Sequence, residues 1–306
     1  MHKDTSAVPD PAELRRRLGR SGVWLGTLGR LDAESTRRAA GAIEDLGYRS
    51  LWISEVYGAK DSLVNSGILL SATDRLIVAT GIANLYARDA ASADAGANAL
   101  AEAWSGRFIL GLGVSHVPLV AVRGHDYGKP VSTMRAYLDA MDQAPYQAPL
   151  PERPARVLAA LRSGMLRLAA ERTQGAHTYF VGPDHTAKAR EILGPEPLLV
   201  PEQAIVLDTD ADRARATARE YMALYLTLPN YLNNLREMGW GDADFADGGS
   251  DALVDAIVAW GDADAIGERV RAHHDAGADH VCVQPLTSTI DETLTHLGVL
   301  AATLTT

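Results

Sequence analysis

The feature that most narrows what this chain can fold into is an eightfold alternation of short apolar, strand-forming runs with stretches of helical pattern. The runs are Gly22 to Leu28, Arg49 to Ser54, Leu76 to Ile82, Arg107 to His116, Arg156 to Leu161, Ala176 to Val181, Gln203 to Leu207 and His280 to Gln284. Helical pattern covers Asp32 to Leu46, Ser62 to Ala72, Asp89 to Trp104, Ser132 to Asp142, Gly164 to Arg172, a stretch from near Asp184, and Asp291 to Leu304. Parallel strands cannot be joined by tight turns and need long crossovers, usually helical. Eight such units imply an α/β fold closed as a (β/α)8 TIM barrel. A doubly wound open sheet is the rival. Its dinucleotide-binding version is disfavoured, because GLGVSH at 111–116 does not complete G-x-G-x-x-G and the first strand carries no such turn.

Two stretches depart from the alternation. Residues 144–154 hold Pro145, Pro149, Pro151 and Pro154, cannot continue a helix, and read as a surface connection rather than a domain boundary. Residues 211–276 are helical in pattern but far longer than one crossover needs. They read as a helical insertion after the seventh strand, within a single domain spanning 1–306. Its Tyr221, Tyr225, Tyr231, Trp240 and Trp260 suit a lid, a subunit contact or a packed helical layer.

Composition narrows the function. Hydrophobic residues make up 47% and charged residues 22%, as in a globular protein with a sizeable core. A net charge of -10 argues against nucleic acid and against an anionic membrane surface as partners. The single cysteine, Cys282 in HVCVQPL, allows no intrachain disulfide and reads as a small buried hydrophobe. His273 and His274 point to different faces of one helix and read as surface residues, so no metal-ligand spacing is present. The polar, proline-containing leader MHKDTSAVPDPAELRRRLGR lacks the apolar core of a signal peptide, which makes the cytoplasm the expected location.

Candidate chemistry lies at the strand ends, where ligands gather in parallel α/β proteins. The polar residues there are Glu55, Asn84, Ser115, His116, Ser163 and Gln284. In RFILGLGVSH, Gly111 and Gly113 leave room for a flat ligand to approach the backbone, and His116 offers an imidazole that exchanges protons near neutral pH. A bond to a loop carbonyl is the plainer role for His116. Glu55 suits a polar ring edge, the orientation of another side chain, or a helix cap. Gly81 and Ile82 end the third strand with the freedom a bulge requires. Ser163, placed to cap the helix from Gly164, sits with Gly164 and Met165 at a helix start suited either to a phosphate or simply to capping. No Ser-His-Asp order, activated cysteine or P-loop stands out, which favours a borrowed cofactor.

Several segments together resemble the luciferase-like monooxygenase superfamily, and within it the deazaflavin-dependent oxidoreductases that use coenzyme F420. They are SLWISE at 50–55, VATGIAN at 78–84, SGRFILGLGVSH at 105–116, AALRSGMLRLAAERTQGAH at 159–177 and GADHVCVQ at 277–284. The resemblance implies a (β/α)8 barrel with an insertion, usually a homodimer. It implies a deazaflavin or flavin ring over a bulge at the third strand, with a cis bond between Gly81 and Ile82. Cofactor binding is then expected from Glu55, Gly81, Ile82, Asn84, Gly113 and Ser115, with phosphate contacts at Ser163, Gly164 and Met165. His116 takes the place of an acid or proton donor beside the reactive carbon, where many relatives carry Glu. Some deazaflavin enzymes have Asp-His where this chain has Glu55-Val56. The implied activity is hydride transfer between coenzyme F420 and an organic small-molecule substrate. The alternatives are an FMN-dependent monooxygenase and a cofactor-free barrel with a binding role. Arg88, Lys129 and Arg135 are available to the coenzyme's anionic tail, or are plain surface charges.

Overall fold

A computed structural model describes residues 8–305. Among them eight parallel strands close on one another: β1 (Ser21–Trp24), β2 (Ser50–Ile53), β3 (Ile77–Thr80), β4 (Phe108–Gly113), β5 (Ala155–Ala159), β6 (Gly175–Thr178), β7 (Leu198–Val206) and β8 (Val281–Pro285). Closure is made where β8 pairs with β1 at Ser21↔Val281 and with β7 at Val283↔Gln203. Two-residue bridges, Ala83–Asn84 and Ala259–Trp260, extend β4 and β7 at their edges. The architecture is the (β/α)8 barrel that the alternation implies.

Both faces of the strands are largely buried, as in a parallel sheet covered by helices, and parity sorts the side chains. Trp24, Trp52, Ile77, Ala79, Ile109, Val157, Leu198, Val200 and Cys282 fill the barrel interior. Leu51, Val78, Leu110, Leu158, Leu199, Ile205, Val281 and Val283 face the helical ring. The first seven residues of the leader lie outside the described residues. The rest is not merely polar: Pro11–Leu18 is a helix capped by Asp10, which accepts the amides of Ala12 and Glu13, and its Leu14 and Leu18 join the interior cluster.

Several boundaries shift for local reasons. β1 stops at Trp24 and a 3-10 turn takes Thr27–Arg30, although the apolar run predicts strand as far as Leu28. β7 begins at Leu198 instead of Gln203: Pro201 and Glu202 interrupt an apolar run, yet both fit the ladder, with Thr178 paired to Pro201 and Cys282 to Glu202. His273 is fully buried, not at the surface, because it bonds Thr186 and Gln203 at 2.8 and 2.9 Å. Between β7 and β8 lie helices Ala211–Tyr225, Pro229–Glu237, Asp242–Phe245, Asp251–Ile257 and Ala263–Asp275. Apart from the last, whose Ile266 and Val270 join the main cluster, these helices form a second apolar cluster with Phe180, Ala204 and Val206. That cluster seats them over the ends of β6 and β7. Among the described residues no helix is long and apolar enough to cross a membrane.

Candidate active site

The mouth is shaped first by the segment after β3. The Gly81–Ile82 peptide is cis. Gly81 is fixed on both sides, its N–H donating to Ile53 O at 2.6 Å and its carbonyl accepting Trp24 Nε1 at 2.9 Å. The glycines of β4 serve this segment. A Cβ on Gly111 would stand 1.9 Å from Thr80 O, and one on Gly113 would stand 2.5 Å from the Ile82 side chain. The space beside these glycines, expected from the sequence to receive a ligand, is thus taken by the neighbouring strand and its bulge.

Glu55 lies under the same loop. Its Oε2 accepts the Asn84 N–H at 2.7 Å, and its carboxylate pairs with Arg88, which also reaches Asp61. Only 4% of the Glu55 side chain and 12% of Arg88 are exposed. Asn84, also buried, spends its Oδ1 on the Tyr86 amide at 2.9 Å. Of the roles open to Glu55, this geometry is the orienting one: a buried clamp that sets the course of residues 82–88. Arg88 is therefore committed, and Arg135 is paired with Glu171 on the surface, while Lys129 is exposed.

At the end of β4 the chain turns sharply. Ser115 has φ 57°, in the left-handed region that few side chains adopt, and its carbonyl accepts the Tyr127 hydroxyl at 3.1 Å. His116 follows, half-buried. Its Nδ1 meets Asn230 Oδ1 at 3.1 Å, its ring lies 5.5 Å from that of Tyr231, and Nε2 has no hydrogen-bond partner among the described residues. Burial holds the imidazole below its ordinary pKa, with the Asn230 bond opposing. It is neutral near pH 7, with Nδ1–H donating to Asn230 and Nε2 left as an acceptor.

Asn230 and Tyr231 belong to the helices between β7 and β8, so these helices roof the mouth. Tyr225 meets Tyr179 through a 2.9 Å hydroxyl contact, and Tyr179 donates to Gln284 Oε1 at 2.9 Å. Phe180, Tyr225 and Tyr231 pack ring to ring at 4.9 to 5.3 Å. Tyr179 also leans on Trp24, at 5.0 Å between ring centres. Gln284, one of the strand-end candidates, thus joins this wall.

The helix Ser163–Arg172 begins without a side-chain cap. Ser163 is its first residue, not its cap, because the extended backbone of the cap position falls on Arg162. Met165 donates its N–H to Arg162 O at 3.1 Å and is buried, so it acts as core. Gly164 is exposed and Ser163 partly so, which leaves the first amides of this helix open to an anion, while Arg162 beside them is paired with Glu237 at 3.5 Å. Sequence reasoning missed Trp24, Tyr179, Arg162 and Asn230, none of which stands out in a local pattern.

The sequence matches the profile of the luciferase-like monooxygenase family over residues 17–280. A 5,10-methylenetetrahydromethanopterin reductase of Methanolobus tindarius is 29% identical over 98 residues, 32% of this chain and 30% of that protein. A Mycobacterium tuberculosis protein described as a putative coenzyme F420-dependent oxidoreductase is 30% identical over 123 residues, 40% of this chain and 35% of that protein. The matched segments thus span about a third of each curated relative's length. Among solved structures, an F420-dependent secondary alcohol dehydrogenase in complex with an F420-acetone adduct superposes with a TM-score of 0.72 at 14% identity, over 93% of this chain and 98% of that one. The oxygenating constituent of 3,6-diketocamphane monooxygenase from Pseudomonas putida, in complex with FMN, gives 0.72 at 16% identity, over 94% and 97%. Those likenesses are likenesses of fold; the family follows from the profile match across most of the sequence, and the chain belongs to the luciferase-like monooxygenase family.

Proposed function

We propose that the protein is an oxidoreductase that exchanges a hydride between coenzyme F420 and an organic small molecule at the barrel mouth. The observation that carries this reading is His116, a neutral imidazole with Nε2 unbonded, held under an aromatic roof at the end of β4. Such a group moves a proton but no electrons, so the redox chemistry belongs to a bound ring. The description of the M. tuberculosis relative supports a deazaflavin as that ring.

The residues fit such a group. Ile82, Gly81 and Ser115 line the bulged side of the mouth, and the uncapped helix start at Ser163 and Gly164 suits an anionic tail. Glu55 and Asn84 act from beneath by fixing the loop. When bound, the deazaflavin would supply or accept the hydride. His116 takes or returns the accompanying proton at Nε2, Asn230 orients its ring, and the helices that carry Tyr225 and Tyr231 exclude water. A homodimer belongs to the same proposal.

Fluorescence titration with F420 and with FMN tests the reading: F420 is expected to bind. His116→Ala is expected to slow hydride transfer roughly 100-fold while leaving F420 affinity unchanged. Equal loss of both would make His116 a binding residue. Binding of FMN alone, with O2 consumption, would replace the proposal by the monooxygenase reading, which the FMN-bound fold neighbour favours. Failure to bind either ring would leave a cofactor-free binding role.

A further inference from the structure

The inner face of β7 carries one carboxyl, Glu202, with 1% exposure. Its register, beside Cys282 and one step beyond the Thr178↔Pro201 pair that ends the β6 ladder, puts it at the level of Tyr179 and Phe180. Its Oε2 accepts the Phe180 N–H at 3.3 Å, and its Oε1, fully buried, has no partner among the described residues. Buried polar atoms are nearly always bonded, so an unpaired carboxyl oxygen inside the barrel asks for a functional account.

The titratable groups facing it are Tyr179 beyond β6, Tyr221 and Tyr225 from the Ala211–Tyr225 helix, Tyr231 from the Pro229–Glu237 helix, and Cys282 of β8. None of these is a cation. Burial accordingly pushes the carboxyl up to about 8, with only the Phe180 N–H opposing. At pH 7 Glu202 is a neutral acid. Tyr179 and Tyr225, both part-buried, are joined to each other by their hydroxyls, and neither is bonded to Glu202.

We propose that Glu202 is the acid of the redox site, donating its carboxyl proton to the heteroatom of an uncharged C=O or C=N substrate. The assignment rests on the F420 reading. A two-electron, two-proton reduction leaves one proton to be taken from the reduced coenzyme and one to be given to the substrate. His116, neutral and open at Nε2, suits the first task, and Glu202 suits the second. As the substrate carbon gains its hydride, the π pair moves onto the heteroatom, which takes the Glu202 proton. The products are the reduced substrate, oxidised coenzyme, protonated His116 and the Glu202 carboxylate. Reprotonation of Glu202 and proton loss from His116 restore the site. An anionic substrate would meet a developing carboxylate with no cation to offset it, which is why the class is uncharged.

The test uses the full chain, wild type and Glu202→Gln. Infrared difference spectra of the free protein are expected to show a protonated-carboxyl band at pH 7 that fades as pH passes about 8 and is missing in E202Q. With reduced F420 and a panel of uncharged aldehydes, ketones and imines, wild-type turnover is expected to fall above that pH. E202Q should bind F420 normally, lose roughly 100-fold in reduction at pH 7, and show no alkaline fall. The proposal is overturned if the band is absent at pH 7, if no panel member is reduced by F420-loaded wild type, or if E202Q keeps its rate and alkaline limb. Failure of wild type to bind F420 instead removes the redox reading itself, and Glu202's role with it.

Discussion

Gly111 is held to glycine by its neighbour rather than by its own backbone angles. The Thr80 hydroxyl donates to Gly111 O at 2.8 Å and accepts Gly111 N–H at 2.9 Å, drawing the Thr80 carbonyl close to the Gly111 Cα. With 1.9 Å between that carbonyl and the position a Cβ would take, the strands must separate to admit any side chain. Gly111→Ala is expected to cost about 3 kcal/mol, the upper end for an overpacked core. Urea unfolding would measure it, and a loss under about 1 kcal/mol would show that β3 and β4 yield there. RFILGLGVSH thus reads correctly as a strand with an open end. Which neighbour fills the glycine gaps depends on β3, 31 residues earlier, and on the turn at Ile82.

Among elements, the loop after β3 depends on a charge from the loop after β2. Glu55 and Arg88 are both largely buried, and removing one partner of such a pair leaves the other uncompensated. Arg88→Ala is expected to destabilise by roughly 3 kcal/mol, with Glu55→Gln in the same chain recovering part of the loss. Denaturant midpoints of the single and double variants would check this; strict additivity would mean the pair is not coupled. The helices over the mouth depend likewise on partners far off in sequence. His116 and Asn230 lie 114 residues apart, and Tyr179 and Tyr225 lie 46 apart. The length of the insertion and its aromatic content are legible in the sequence; its fastening points are not.

At the scale of the whole molecule, neutral imidazoles and one neutral carboxyl in the core make stability depend on pH in opposite senses. Burial lowers His177 and His280 to about 4 and His273 to about 3, against an ordinary 6.5. Their contribution is full above pH 6.5 and is lost as pH falls through those values. Glu202, raised from 4.5 to about 8, contributes fully below 4.5 and progressively less as pH rises to 8. Between 4.5 and 6.5 the three imidazoles outweigh the one carboxyl. Melting temperature is therefore expected to peak near pH 6.5 and decline on both sides, with E202Q flattening the alkaline decline. A melting curve still rising from pH 6.5 to 8 would contradict the buried acid.

The sequence by itself determined the eight strands and their order. Periodicity and glycine or proline punctuation act over a few residues and so leave a local trace in RFILGLGVSH or SLWISE. Only the tertiary structure decided that Glu55 meets Arg88, that Ile82 fills the space beside Gly113, that His273 is buried, and that Glu202 faces inward without a cation. Those outcomes depend on how the barrel closes and on what the helices between β7 and β8 cover. Burial and pairing are set by contacts between segments distant in the chain, and no local pattern records them.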